Sequence, residues 1–337
     1  MKASGSNKIR TIWTCIFLLM LILCILIFSL QSGTIYLNPI EVVQTLLGFG
    51  TPDNSLILLD FRLPRIIITI LAGFALGISG TILQSVTKNP MADTSVIGIQ
   101  AGSGLGLISF IAIFDSLHTN ITLIPIFSMC GGLVAGILVL ALAYDRQKGL
   151  MSIRVLLVGI SVSAGFHALM LVLSLRLDES TYSFAAQWLV GNVWAREWKY
   201  VWLMIPFLII LIPILIFRAN TLNLLQLKEE TAIGVGVKTS RQRFYLLVIS
   251  IILSSISFSM VGGIAFVGLI APHLSRKLVG RSHQHILPVS GLIGILILLT
   301  ADTTGRVLFS PNGMPAGVLC AAIGAPYFLY LLKINKK

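Results

Sequence analysis

The chain has 337 residues, of which 56% are hydrophobic and only 11% charged, and its formal net charge is +12. A soluble domain carries about 25% charged residues because its surface faces water, so this composition excludes an ordinary soluble enzyme and points to lipid as the solvent. The excess of positive charge is no nucleic-acid footprint, since it falls in short clusters between apolar runs.

The first apolar run, 11–30, follows Lys2, Lys8 and Arg10 in the manner of a signal peptide. It is about twenty residues long, too long for a signal core, and no A-x-A-like site follows; it is expected to be the first membrane helix. Crossing a ~30 Å hydrocarbon core takes about twenty mostly apolar residues. That ruler predicts ten spans near 11–30, 64–84, 94–114, 122–143, 153–175, 200–217, 244–262, 264–280, 286–301 and 315–333. The seventh and eighth meet at Gly262-Gly263, where a tight turn and a broken helix both fit. Gly73, Gly77 and Gly80 share one helix face, as do Gly132 and Gly136, and are expected to let helices pack closely. No composition shift or linker divides residues 1–337, so a single polytopic transmembrane domain is expected.

Ten crossings put both termini on one side, and charge says which. Arg62, Arg65, Arg176, Arg196, Lys199 and Arg306 fall on one side, leaving the other 18 of the 24 Lys and Arg on the side of the termini. Basic residues accumulate in cytoplasmic loops, so both termini are expected to be cytoplasmic. The outer loop 176–199 contains Phe184 to Val190, expected to form a short interfacial helix with Trp188, Trp194 and Trp198 at headgroup level. The inner loop 218–243 carries a short apolar stretch, Leu222-Asn223-Leu224-Leu225-Gln226-Leu227, then Lys228, Glu229, Glu230 and Gly234-Val235-Gly236-Val237. Such a segment is too short to span; it fits either a partner protein or the bilayer surface.

Conventional active sites are missing. The chain has no G-x-x-x-x-G-K-[ST] phosphate loop and no HExxH. Cys15, Cys24, Cys130 and Cys320 form no CxxC pair and read as buried spectators. His283-x-His285 lies in a basic turn without matching carboxylates or thiols and reads as a solvated or headgroup contact. Gly77-Ile78-Ser79-Gly80 matches the GxSG of rhomboid-type proteases, with His167 as a nominal base. Four letters in a chain with 30 glycines make a weak match, and no glycine follows His167. Secondary transporters place ionisable groups at mid-membrane depth, and His167 alone reads that way here. No catalytic residue, metal site or cofactor is expected; uphill movement would draw its energy from another protein, docked on 218–243.

Several blocks together resemble the FecCD family, membrane subunits of ABC importers for ferric siderophores, haem and cobalamin. They are Phe61-Arg62-Leu63-Pro64-Arg65; Gly73, Leu76, Ser79-Gly80 and Gln84; Lys88-Asn89-Pro90-Met91-Ala92-Asp93 and Gly98. They continue through Leu222 to Val237, Gly263-Ile264-Ala265-Phe266-Val267-Gly268-Leu269-Ile270-Ala271-Pro272-His273 with Arg276, and Ala301-Asp302 with Arg306. Pro315-Ala316-Gly317 and Gly324-Ala325-Pro326-Tyr327-Phe328 complete the set. Thr94, where the family usually has proline, and Gly313-Met314, where an acidic-apolar pair is common, depart from the pattern.

The resemblance implies the all-α fold of a type II ABC importer permease in the bacterial cytoplasmic membrane. It implies as partners a second permease subunit, identical or paralogous, two cytosolic ATPases and an extracytoplasmic binding lipoprotein, beside membrane lipids and without nucleic acid. Arg62, Arg65 and Arg306 match positions that receive glutamates of the binding protein, and electrostatic steering is a physical reason for them. Leu222, Leu224, Leu225, Leu227, Glu229, Glu230, Thr231 and Gly236 are expected to contact the ATPase. Ser161, Ser163, His167 and Ser174 in the fifth span are expected to line the pathway. A ferric siderophore is the expected cargo, with haem or cobalamin as the alternative; a secondary transporter and an intramembrane protease are remote alternatives.

Overall fold

Each of the ten apolar runs contains a helix in the computed structural model, which describes residues 2–33, 35–95, 97–114, 121–145, 149–193, 197–310 and 313–334. In chain order, α1 (Lys2–Gln31) is followed by two short helices, α2 (Pro39–Leu46) and α3 (Pro52–Ser55). A π-helical stretch, Leu56–Arg62, then runs directly into α4 (Leu63–Thr87). Next come α5 (Ile99–Phe114), α6 (Ile124–Ala143), α7 (Ser152–Ser174), the short α8 (Glu179–Leu189) and α9 (Trp198–Phe217). Two short helices, α10 (Ala219–Leu225) and α11 (Glu229–Gly234), lead to α12 (Thr239–Val261), α13 (Val267–Val279), α14 (His283–Leu308) and α15 (Ala316–Ile334). The described strands are a two-residue antiparallel pair, Tyr144–Asp145 with Gly149–Leu150.

Among the described residues, seven helical stretches are long and apolar enough to cross a membrane, and Ile99–Phe114 and Ala316–Leu331 are apolar but shorter. The expected eighth span is only partly helical. Residues 262–266 are not helical, Gly262 adopts φ +72° and Phe266 φ +67°, and α13 has only 13 residues. At 1.5 Å per residue that is about 20 Å, short of a ~30 Å core. Of the two readings left open at Gly262-Gly263, the broken helix is the one observed. Non-helical backbone at this depth needs internal partners. Asp93 supplies one, its buried carboxylate accepting from the backbone N–H of Phe266 (3.2 Å) and of Thr94 (2.8 Å) and from Ser95 Oγ (2.8 Å).

α4 is the centre of the molecule. Its most apolar window is 78% buried, against 72% for those of α12 and α14 and 17% and 22% for those of α1 and α7. Its glycines explain how two partners reach it. A methyl group on Gly73, Gly77 or Gly80 would overlap the backbone carbonyl of Gly294, Ser290 or Gly268. The first two lie on α14 and the third on α13, so the small-residue face packs as expected. Hydroxyls add directed bonds. Ser290 Oγ donates to Gly77 O (2.7 Å), Ser250 Oγ donates to Ser79 O (3.0 Å), and Ser79 Oγ meets Ser250 Oγ (2.8 Å) and Ser254 Oγ (2.5 Å). Ser79 thus belongs to a serine cluster between α4 and α12, while His167 is exposed on α7 and bonded to its own helix.

The expected interfacial helix is observed as α8, but Trp188 is buried, at 5% exposure, rather than at headgroup level. Its ring packs among Ala101, Leu107 and Met170, where it removes more apolar area from water than a surface position would. Trp198 is likewise turned inward, its Nε1 donating to Leu59 O at 2.9 Å. Trp194 lies outside the described residues, as do Arg146, Lys148 and Arg196.

Gly77→Val should force α4 away from α14 and cost about 3 kcal/mol, the upper end of overpacking penalties. The readout is the midpoint temperature for loss of monodisperse protein in detergent. Gly165→Ala, at a site with nothing within 4 Å of a new methyl group, should leave that midpoint unchanged or raise it. Equal loss in both variants would refute the packing account.

Candidate functional site

The end of the bundle where α4 begins and α14 finishes gathers three arginines. Arg62 sits in the last turn of the π-helical stretch and is buried at 6% exposure. Its Nη1 donates to Leu30 O (2.5 Å) and Gln31 O (3.1 Å), and its Nη2 to Ile35 O. Arg306, one turn from the end of α14, donates through Nη2 to Ser29 Oγ (2.5 Å) and Ser29 O (3.4 Å). A helix leaves its last four carbonyls without partners and its C-terminus partly negative. Arg62 and Arg306 therefore cap α1 with full positive charge.

Arg65 has a different partner. It grips Asp302 of α14 with Nε at 3.0 Å and Nη2 at 2.7 Å from Oδ1, and Arg306 Nε stands 3.4 Å from Oδ2. The Asp302 side chain is 1% exposed, those of Arg65 and Arg306 19% and 13%. The three arginines expected to receive glutamates of a binding protein lie at one end of the bundle, across more than 240 residues of sequence. They are turned inward around α1 and Asp302, with one carboxylate for three guanidiniums. Asp302 stands in the sequence only as part of the Ala301-Asp302 and Arg306 block; its i,i+4 spacing to Arg306 was the signal for their pairing.

At the opposite end, α10 and α11 run beneath the helices. Leu222 and Leu225 are 0% and 1% exposed and pack into the chain's own core. This corrects the expectation that they face a partner: α10 is a short amphipathic helix of 7 residues, and its apolar side is consumed in holding it to the bundle. Leu224 is half-buried, whereas Leu227, Ile233 and Val235 are exposed. Glu229 accepts from Arg243 Nη1 (3.3 Å) and Thr239 Oγ1 (3.1 Å), which ties α11 to α12. Glu230, Thr231 and Gly236 are exposed, and Gly236 holds φ +84° with nothing within 4 Å of a Cβ position. Lys88, the C-cap of α4, donates through Nζ to Leu227 O at 2.6 Å. Burial, followed by nearby Arg243, lowers the Lys88 ammonium pKa, and Glu229 opposes the shift.

His283 is the residue that the sequence reading placed wrongly. It is fully buried, not solvated. Its Nδ1 lies 2.8 Å from Asn223 Oδ1 on α10, and its Nε2 lies 2.6 Å from Ser85 Oγ on α4. The adjacent Gln84 donates to Gly268 O (3.3 Å) and Leu269 O (3.2 Å) of α13 and accepts from Arg276. No local pattern marks His283 for burial, since it opens a helix beside basic Arg281.

The four residues expected to line the pathway share α7. Ser161 and His167 are exposed and Ser163 and Ser174 half-buried. Ser161 Oγ donates to Leu157 O, His167 Nδ1 to Ser163 O and Ser174 Oγ to Leu171 O, all on the same helix.

Over residues 19–333 the chain matches the FecCD transport family. It is 40% identical to the iron-uptake system permease protein FeuC of Bacillus subtilis, over 94% of this chain and 96% of the other. It is 38% identical to the iron(3+)-hydroxamate import system permease protein FhuG of the same organism, with 93% and 94% covered. The Fe(3+)-citrate import system permease protein YfmE of that organism is also 38% identical, with 100% and 99% covered. Among solved structures, an inward-facing metal-chelate type ABC transporter superposes with a TM-score of 0.82 at 29% identity, covering 95% of this chain and 98% of that one.

Asp302→Ala should cost about 3 kcal/mol or more, because it leaves Arg65 and Arg306 facing each other without their shared carboxylate. Arg65→Ala should cost less, since Arg306 still pairs with Asp302. A double-mutant cycle on thermal stability in detergent should return a coupling of about 1–2 kcal/mol; strict additivity would show that the pair does not hold α4 to α14.

Proposed function

The chain belongs to the FecCD transport family, and we propose that it is the membrane permease of an ATP-driven importer carrying a ferric chelate, a ferric siderophore before others, into the cytoplasm. The observation that carries this reading is similarity over nearly the full length of permeases named for ferric hydroxamate and ferric citrate import. It is a multi-pass protein of the cytoplasmic membrane, and its work is transport rather than chemistry.

In this reading the arginine end faces outward and receives a binding protein. Three guanidiniums against Asp302 leave the cluster formally at +2. Arg65 and Arg306 retain a solvent-facing edge, while the buried Arg62 contributes field rather than contact. An acidic rim on the binding protein would be steered to it. The α10–α11 face meets the cytosolic ATPase through Leu224, Leu227, Glu230, Thr231, Ile233, Val235 and Gly236. Leu222 and Leu225 hold α10 in place from behind. Ser161, Ser163, His167 and Ser174 sit on the outside of a single chain, the side on which a second permease subunit would close a shared pathway. ATP can then shift the pair between outward- and inward-open states only by binding one docked state more tightly than the other.

A strain lacking this chain should lose uptake of iron-55 supplied as one ferric chelate while keeping haem and cobalamin uptake; unchanged uptake of every ferric chelate tested would sink the substrate reading. Ile233→Asp should reduce iron uptake about tenfold with a normal amount of permease in the membrane, because burying an unpaired carboxylate at a protein contact costs on the order of 1.4 kcal/mol or more. Leu225→Asp should instead deplete the folded permease itself. Normal uptake with Ile233→Asp would remove α11 from the ATPase interface.

A further inference from the structure

We propose that His283 is the positioning residue that carries movement of the α10–α11 segment into the transmembrane core, gripping α10 with one ring nitrogen and α4 with the other. The inference rests on the importer reading, because it supposes that a motor pulls on α10–α11.

The geometry fixes how the ring works. The backbone N–H of His283 donates to Asn223 Oδ1 at 2.9 Å, which makes that oxygen the acceptor. Nδ1, 2.8 Å from the same oxygen, therefore carries the proton. Nε2 of the neutral ring is then an acceptor, and the Ser85 hydroxyl donates to it at 2.6 Å. One tautomer satisfies both contacts, and the ring bridges α10 to α4 from the first turn of α14. A solvated histidine would need none of this.

Ser85 makes the bridge switchable. Its hydroxyl has one proton and two acceptors in reach: His283 Nε2, and Thr81 O on its own helix at 2.7 Å. With the proton on the histidine side, α4 is tied to α10; with it on Thr81 O, α4 keeps a satisfied hydroxyl and lets go. Displacing α10 by a fraction of an ångström is enough to favour the second state.

What lies beyond Ser85 gives the bridge consequence. Gln84 beside it holds the first turn of α13, and α4 lies against α14 at Gly73 and Gly77. The same helix pair is closed at its far end by Arg65 and Asp302. Movement entering at Ser85 and His283 thus enters a stiff two-helix rod whose other end carries the three arginines. Lys88 on Leu227 O is a second tie between α4 and the same segment, but it is made by a flexible exposed side chain.

The test uses the complete permease–ATPase assembly in nanodiscs, read by hydrogen–deuterium exchange with and without ATP plus vanadate. Wild type should change exchange by about fivefold or more both in 218–237 and at the arginine end, in the range of ordinary coupling energies. Ser85→Ala, which removes only a hydroxyl, and His283→Leu should keep the ATP-dependent change in 218–237 and lose it at the arginine end. A purely structural role would instead raise exchange throughout the bundle without ATP and leave the ATP-dependent difference in place, and that result overturns the inference. Should His283→Leu fail to assemble, Ser85→Ala decides alone. A wild type with no ATP-dependent change anywhere overturns the importer reading and this inference with it; a wild-type response retained in full by Ser85→Ala overturns this inference only.

Discussion

Close approach of α4 and α14 is the constraint on which the rest of the molecule depends. In lipid the tails outside a helix are as apolar as the side chains within the bundle, so burial of leucine does not by itself choose a partner. Backbone contact does, and it is possible where Gly73 and Gly77 meet Gly294 and Ser290. Once these two helices touch, their directed groups come into register. Ser290 bonds across the middle, Arg65 reaches Asp302 at one end, and Ser85 reaches His283 at the other. α12 and α13 then fit against the remaining faces of α4 through Ser79 and Gly80.

Buried charged residues are expensive in this setting, and Asp302, Arg62, Arg306 and Asp93 have visible partners. Asp302 lies between two guanidiniums, and Arg62 and Arg306 satisfy carbonyls that the end of α1 leaves open. Asp93 satisfies the break at 262–266, where α12 stops and the shorter α13 begins. The non-helical stretch and the 13-residue α13 together lead from the far end of α12 back to the start of α14, beside α4. The charged contacts of α4 thus lie at its ends, while its middle is joined by close backbone packing and serine hydroxyls.

This arrangement suits a subunit worked from outside itself. The α10–α11 segment is fastened to the bundle by Leu222 and Leu225 and offers Ile233 and Val235 outward. It has buried polar links to α4 and α14 through Asn223 and His283.

Composition and the lengths of the apolar runs determined the membrane setting, the all-helical class and the approximate place of nearly every span. They did so because the hydrocarbon core imposes length and backbone satisfaction on each segment separately. The motif blocks added the family, and the glycine spacing identified the tight face of α4. What only the tertiary structure decided is which polar groups meet. Asp302 lies 237 residues from Arg65 in sequence and His283 lies 198 from Ser85. Helices apolar all round carry no record of their rotation, so the inward turn of Leu222, Leu225 and Trp188, the burial of His283 and the break before α13 appear only when the helices are packed.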